Sequence, residues 1–521
     1  MMDDAGRVLG DSTEGGRRLL SVATGALLVF TVVHFGRAWY TGGNLGQSSG
    51  VVIGQAMDLA AGVFYRPLVS DYGYGGTRYM PLSFVVIAPF IRAGLDPINT
   101  AIAITLVADV LLLSGIHVLL RRLGVDRSLA WTGAVLVLSA GCGQYAATTV
   151  RGDLLPAALN VWGLAFGVGE GKRARPVLAG VFFVLAFTGK VVALYGAAAC
   201  GLAMVLSGRW KEAVKLAGVV AMGMVVSVGL VNWASGGRFM ENMRACAGVG
   251  TTWAWVREFY WRRLWGSGLG LDWTAMVWFG LAGLSVLRMR VEELRRASFW
   301  ALVITGVVTF GLFTSPGVAY NVFLDLVVVS VVFIILQISA GRVPYVAGVV
   351  VLSVVMVGAI PYLVWKHGDK GMGRARAEAT VLAIGRGAGP ILCKPPMLAV
   401  YAGESPYVLD PWMFRHLAQR DEFEARLHGE LKAGHFRAVV VDDLESEKAE
   451  EGAGNQFGWD FVGAMEEGYG EAARVMCGKK TMSVVWKPKS EVQWGGVQVV
   501  QTPVEWTWWR WWRGMKRRFL S

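Results

Sequence analysis

The chain has 521 residues, of which 54% are hydrophobic and only 17% charged, with a mean hydropathy of +0.46. A soluble chain of this size carries about a quarter of its residues as charges, so a set of soluble domains is excluded, and the 68 glycines follow no period that would indicate collagen or low-complexity sequence. The net charge of +12, in so apolar a chain, reports basic cytoplasmic loops and contacts with anionic head groups rather than nucleic acid. The five cysteines, Cys142, Cys200, Cys246, Cys393 and Cys477, show no CxxC spacing and no His-rich neighbourhood, so they indicate no zinc site.

Apolar runs long enough for a hydrocarbon core of about 30 Å recur upstream of residue 365. The first, 19–40, follows Arg17 and Arg18 and ends without an A-x-A cleavage pattern, which predicts an uncleaved anchor behind a cytoplasmic N-terminus at 1–18. Further runs lie at 79–94, 99–120, 128–146, 153–169, 176–207, 214–234, 271–288, 298–314, 318–338 and 343–364. The basic clusters Arg121/Arg122/Arg127, Lys172/Arg173/Arg175, Arg209/Lys211/Lys215, Arg288/Arg290/Arg295/Arg296 and Arg342 should all be cytoplasmic under the positive-inside rule. The 176–207 run is flanked by such clusters at both ends, so it must be two short spans meeting on the outer side near Gly189 and Lys190. By the same parity 79–94 is a short helix at the outer leaflet, part of an outer loop 41–98, and about eleven full spans fill 19–365.

Residues 366–491 read as a small extracytoplasmic α/β domain. Short strands are expected at 390–393, 407–409 and 436–441, with helix at 412–432. Residues 492–504 read as extended linker, and the Trp506-Thr-Trp-Trp-Arg-Trp-Trp-Arg tail, with Lys516-Arg517-Arg518, suits the membrane interface. Cys393 and Cys477 both fall in the outward segment and are candidates for a disulfide.

The outward segments hold the candidate chemistry. The first loop has a short helix carrying Asp58, then Ser70-Asp71-Tyr72-Gly73-Tyr74-Gly75-Gly76-Thr77-Arg78-Tyr79-Met80-Pro81-Leu82. Arg151 and Asp153 follow a span, and Lys190 interrupts an apolar run where an unpaired ammonium is costly, so a carboxylate or lipid phosphate should accompany it. Asp109 and Asp325 lie inside spans, where acids can mark a proton or ion path; without an internal repeat they read rather as protonated or paired packing residues. The stretch 257–265, with Arg262 and Arg263, is basic and aromatic, fit for a carrier phosphate or for the interface itself.

In their order, a short helix in the first outer loop, Tyr-x-Pro-Leu before an apolar helix, Arg-x-Asp after a span and Thr188-x-Lys190 at a later turn resemble the polytopic GT-C glycosyltransferases. The nearest branch is that of the aminoarabinose and dolichyl-phosphate-mannose-type transferases, the RgtA/B/C/D-like domain, over roughly 20–365. Ile391-Leu, Ala402-Gly403 and Tyr407-Val-Leu-Asp410-Pro411 are similar to the tail of some members.

The resemblance implies an enzyme of the bacterial inner membrane that moves a sugar from a polyprenyl-phosphate donor to a lipid, glycan or protein acceptor on the outer face, with inversion. Such a transfer needs a carboxylate to take the acceptor proton, and cations or a divalent metal to steady the leaving phosphate. Members place an acid soon after the first span; here the matching stretch, Gly46-Gln47-Ser48-Ser49-Gly50, has none. Either Asp58 or Asp71 substitutes, or Asp153 carries the role alone, or the chain is a catalytically silent binding subunit. Arg151, Lys190, Arg78, Tyr72, Tyr74, Arg262 and Arg263 are the candidate substrate-binding residues. The plain alternatives are a solvated helix face for Asp58, a turn for Asp71, an interfacial ion pair for Arg151 and Asp153, and snorkelling for Lys190. A transporter or flippase of lipid-linked glycans is the competing class, against which stands the lack of an internal repeat.

Overall fold

The computed structural model describes residues 2–42, 45–169, 174–247, 273–312, 320–342, 373–417, 420–441, 460–477, 480–492 and 497–502, with a few single positions between 348 and 358 and at 457. The expected span at 343–364, Arg262 and Arg263, and the Trp/Arg tail lie largely or wholly outside the described residues.

Among the described residues, three helices are long and apolar enough to cross a membrane by themselves: Arg18–Thr41 within α1 (Met2–Thr41), α5 (Pro97–Arg122) and α11 (Trp210–Ala234). Between the first two stand α2 (Gln47–Ala60), a hairpin of β1 (Val69–Ser70) and β2 (Gly73–Tyr74), and the short α3 (Leu82–Val85) and α4 (Ala88–Arg92). The 79–94 run is thus two helices of four and five residues, too short to span. α5 starts sharply because Asp96 accepts the Asn99 N–H at 2.7 Å and Pro97 has no N–H to satisfy.

The 128–146 run is not one helix. It divides into α6 (Arg127–Leu136), a 3-10 turn and α7 (Gly141–Thr148). At the break, a Cβ on Gly143 would stand 2.3 Å from the Val137 carbonyl oxygen, so the chain folds back on itself where only glycine fits. Then come α8 (Leu154–Gly167), α9 (Pro176–Gly189), α10 (Tyr195–Leu206) and the amphipathic α12 (Arg238–Ala247) beyond α11. α13 (Trp273–Val286), α14 (Ala297–Leu312) and α15 (Phe323–Ser339) complete the bundle. The 176–207 run does divide at Lys190.

α15 is the axis of the bundle, with every side chain from Phe323 to Ile338 buried. α11 lies at the other extreme, packing through Gly180 and Gly223 against α9 while Met222, Val225, Leu230 and Trp233 stay exposed, as a surface facing hydrocarbon requires. Several of the arginines gather at one end of the bundle. Arg122 donates to the Ala165 carbonyl at 2.8 Å, Arg209 to that of Gly169 at 2.6 Å, and Arg342 stands 3.6 Å from Glu293. Lys190 and the α/β domain are at the opposite end. The molecule is an integral membrane protein with one basic and one domain-bearing face.

The α/β domain is assembled from α16 (Arg374–Ile384), β3 (Ile391–Cys393), α17 (Pro396–Tyr401), α18 (Pro411–Phe414), α19 (Arg420–Lys432), β4 (Ala438–Val441), α20 (Phe461–Gly468), β5 (Tyr469–Cys477), β6 (Lys480–Pro488) and β7 (Gln498–Gln501). Its sheet runs β3-β4-β6-β5-β7, parallel at β3/β4 and β5/β7 and antiparallel in between. Three expectations are corrected. Residues 412–432 form two helices; 498–501 is a strand, not linker; and 407–409 joins the first loop instead of the sheet, Val408 pairing with Tyr74. Cys393 is free and buried. It ends β3, and two strands stand between it and β5, which carries Cys477. Three strand spacings are roughly 14 Å, about twice the reach of a disulfide.

Candidate active site

The apolar run at Lys190 breaks because the lysine backbone turns extended (φ −156°) after α9, and its ammonium then reaches into the bundle. It lies 2.9 Å from Asp153 Oδ1 and 3.3 Å from Asp325 Oδ2. Asp153 is the N-cap position of α8, yet its carboxylate caps nothing; Asn321 donates Nδ2–H to Oδ2 at 2.7 Å, and Arg151 Nε stands 3.8 Å away. Asp325 accepts the Tyr195 hydroxyl at 3.1 Å. Two cations and two carboxylates from the α7–α8 connection, the α9–α10 turn and α15 thus balance in charge at the end of the core. Each alone would cost several kcal/mol to bury. Arg151 also donates to the Tyr145 hydroxyl at 3.0 Å.

The first loop forms the roof. Tyr79 is half-buried, and its withdrawal from solvent raises its phenol pKa; Arg151, Asp410 and Asp153 act on it electrostatically, and it is hydrogen-bonded to Ser48 of α2. Its carbonyl accepts the Tyr65 hydroxyl at 2.9 Å. Tyr65 sits at φ 58°, a left-handed conformation costly for an aromatic residue, held by contacts with Phe84 and Phe239. Asn242 of α12 pins the loop from outside: its Oδ1 accepts the Gly76 and Thr77 N–H groups at 2.8 and 3.0 Å and its Nδ2 donates to the Arg66 carbonyl at 2.9 Å. A narrow crevice bounded by Val52, Ser83, Ile104, Leu154 and Arg151 enters beneath the roof, and the buried Ser83 hydroxyl has no hydrogen-bond partner there. On the α12 side of the loop an open cavity of about 600 Å³ is lined by Leu68, Asn232, Glu241 and Arg244 among others.

Of the expected site residues, the structure brings Arg151, Asp153 and Lys190 together. Arg78 lies instead against the α/β domain, its guanidinium 5.4 Å from the Trp412 ring centre. The other acids of the first loop are elsewhere. Asp58 is buried in an ion pair with Arg66, which also donates to Ser405 and to the Pro406 carbonyl, both at 2.6 Å. Asp71 and Tyr72 form the exposed tip of the β1–β2 hairpin. Tyr74 is 1% exposed and belongs to the core of the α/β domain, against Tyr407, Phe414 and Phe423. The arrangement adds Asn321, Tyr195 and Tyr79, which the sequence did not single out, and gives Asp325, expected as a protonated or paired packing residue, its partner in Lys190. The one signal for Asp325 was the rule that an intramembrane lysine needs a carboxylate.

Among the described residues no three His, Cys, Asp or Glu side chains converge to hold a metal. Both carboxylates of the cluster are engaged by Lys190.

Residues 77–316 match the family model described as Glycosyltransferase family 87. Among solved structures, the chain is similar to ArnT from Cupriavidus metallidurans bound to undecaprenyl phosphate, at 13% identity and a TM-score of 0.57 over 91% of this chain and 100% of that one. The apo state of the same protein matches at 14% identity and a TM-score of 0.51, over 89% and 98%. No curated protein matches the sequence. The matched segment runs from the first loop past Arg151, Asp153 and Lys190, and the fold is that of the GT-C polytopic membrane glycosyltransferases.

Proposed function

We propose, for a membrane glycosyltransferase with this family match and GT-C fold, that the chain transfers a sugar from a polyprenyl-phosphate donor to a hydroxyl or amine acceptor, with inversion. The observation that carries the reading is Lys190, held between Asp153 and Asp325 beside Arg151. In an inverting displacement the acceptor oxygen or nitrogen attacks the anomeric carbon as the bond from that carbon to the phosphate oxygen breaks. Charge develops on the departing phosphate, and fixed cations there stabilise the transition state more than the ground state. Lys190 and Arg151 supply those cations. Asp153 orients both and is indispensable for that reason. The likeness to a protein bound to undecaprenyl phosphate supports the carrier class.

The basic end faces the cytoplasm of a bacterial inner membrane, and the site and the α/β domain face outward, where lipid-linked sugars are consumed. The binding-subunit reading draws on one observation, that Asp58, the acid nearest the family's first-loop position, is locked to Arg66. The decisive experiment reconstitutes the full chain in nanodiscs with undecaprenyl-phosphate-linked pentoses and hexoses and follows donor consumption. Consumption that is abolished by Asp153→Asn, with an unchanged melting profile, supports the transferase. Binding of undecaprenyl phosphate without consumption of any donor identifies a binding subunit.

A further inference from the structure

α9 and α11 both start at the basic end of the bundle and run side by side. A Cβ on Gly180 would stand 2.7 Å from Val219, and one on Gly223 2.5 Å from Val184, so each helix offers a glycine where the other presents a valine, and the two touch along that stretch. The register that sets Val219 on Gly180 and Gly223 on Val184 carries back to set Lys215 level with Pro176. Neither helix has a glycine at that level. There the helices leave between them an open groove of about 460 Å³, lined by Arg175, Pro176, Val177, Leu178, Val181 and Lys215.

Other cations of this end already have partners. Arg121 donates to the Val125 carbonyl at 2.7 Å, Arg122 to that of Ala165 beside the Phe166 ring, and Arg209 to that of Gly169. Arg175 and Lys215 differ. Both are exposed, and among the described residues neither side chain has a carboxylate or a hydrogen-bond partner. Glu212, the only acid of α11, is taken by Arg209. Two uncompensated cations on one groove repel each other and are relieved by an anion, and the N-terminus of α9 between them adds its own partial positive charge.

The rest of the groove is hydrocarbon. Val177 and Val181 are 55% and 44% exposed, and they continue onto the apolar surface of α11 at Met222 and Val225. A ligand that matches both parts carries an anionic head and an acyl chain. With Glu212 committed, no carboxylate is left to receive the ammonium of a zwitterionic head group. We propose that the groove between α9 and α11 binds an anionic phospholipid of the phosphatidylglycerol kind, its phosphate between Arg175 and Lys215 and an acyl chain along Val177 and Val181. The lipid bridges the two helices at the end opposite Lys190, and so steadies α9, whose other end makes the Lys190 turn. The site is independent of the reaction that the chain performs.

The full chain, purified in a neutral detergent, is titrated with phosphatidylglycerol, with phosphatidylethanolamine of the same acyl chains and with soluble glycerol 3-phosphate. Bound lipid is read by native mass spectrometry alongside the melting temperature. Phosphatidylglycerol should bind and raise the melting temperature, and the other two should not. Arg175→Gln with Lys215→Gln should weaken that binding by about 30-fold, the usual effect of two basic residues at an anionic head group. Arg288→Gln with Arg290→Gln removes the same charge at exposed positions outside the groove and should leave binding unchanged. Equal weakening by both pairs would show a diffuse attraction to the basic end and overturn the site, as would phosphatidylethanolamine binding as tightly as phosphatidylglycerol or a wild type that binds neither. Glycerol 3-phosphate binding as tightly as the lipid would overturn the lipid as the occupant.

Discussion

Arg66 grips Asp58 through two contacts, Nε at 2.7 Å from Oδ2 and Nη2 at 2.8 Å from Oδ1, and the same guanidinium reaches across to the α/β domain at Ser405 and Pro406. The pair is local in sequence, eight residues apart, but its effect is long-range: it welds α2 and the first loop to a domain some 340 residues downstream. Removing the carboxylate leaves a buried guanidinium uncompensated. Asp58→Ala should therefore cost on the order of 3–5 kcal/mol and loosen the domain. A lower melting temperature and faster tryptic cleavage within 374–441 would show it; an unchanged profile would mean that the other Arg66 contacts suffice.

Lys190 supports a different forecast. With the ammonium gone, Asp325 loses its ion-pair partner and Asp153 keeps only Arg151 at 3.8 Å, so Lys190→Met should be strongly destabilising, by several kcal/mol. Asp325→Asn alone should be milder, because Asp153 still answers Lys190. Combining the two should recover part of the loss, giving a coupling of about 1–3 kcal/mol in a double-mutant cycle read by thermal unfolding. Strictly additive effects would show that the lysine does not depend on Asp325.

How far this was legible in the sequence depends on distance along the chain. The split at Lys190 could be read because two local rules agree there: a charged residue interrupts an apolar run, and basic clusters flank both ends. The brevity of α3 and α4 followed from charge parity. The break at Ala140 was hidden because Gly141 to Gly143 sit in an otherwise apolar run, and only the approach of Gly143 to Val137 shows why the helix cannot continue. Asp58, Tyr72 and Tyr74 looked like site residues because polar outward loops attract that reading. Their real partners are Arg66, solvent and the α/β core, and only the tertiary fold supplies Ser405, Pro406 and Phe414. The seam at 407–409 is equally hidden, since nothing local in the sequence reveals that residue 409 bonds to residue 74.

Gly73 gives a sharp test of that seam. Its φ is +105°, and a Cβ there would lie 2.1 Å from the Tyr407 carbonyl oxygen, a backbone atom that cannot swing aside. Gly73→Ala should separate the hairpin from residues 407–409, lowering the melting temperature and any transfer activity together. Gly201→Ala in α10, where nothing lies within 4 Å, is the control and should be neutral or gain a few tenths of a kcal/mol from helix propensity. Equal behaviour of the two variants would mean that the seam is not rigid.

The final prediction concerns stability against pH at Asp410. Its folded pKa of about 6 lies above the ordinary aspartate value of 3.8, so the folded state favours the protonated acid. The sign follows from linkage: the stabilising contribution is complete below the unfolded pKa and is lost as pH rises through the folded one, between about 4 and 6. Above that window the ionised carboxylate burdens the fold by on the order of 3 kcal/mol, taking about 1.4 kcal/mol per pKa unit. Asp410 accepts the Met413 N–H as the N-cap of α18, and Asp410→Asn keeps that cap and carries no charge at any pH. Its melting temperature should match the wild type near pH 4 and exceed it increasingly towards pH 7.5. If the variant is instead less stable at pH 7.5, Arg78 must be pairing with Asp410 strongly enough to repay its burial, and the carboxylate is a structural anchor of the seam.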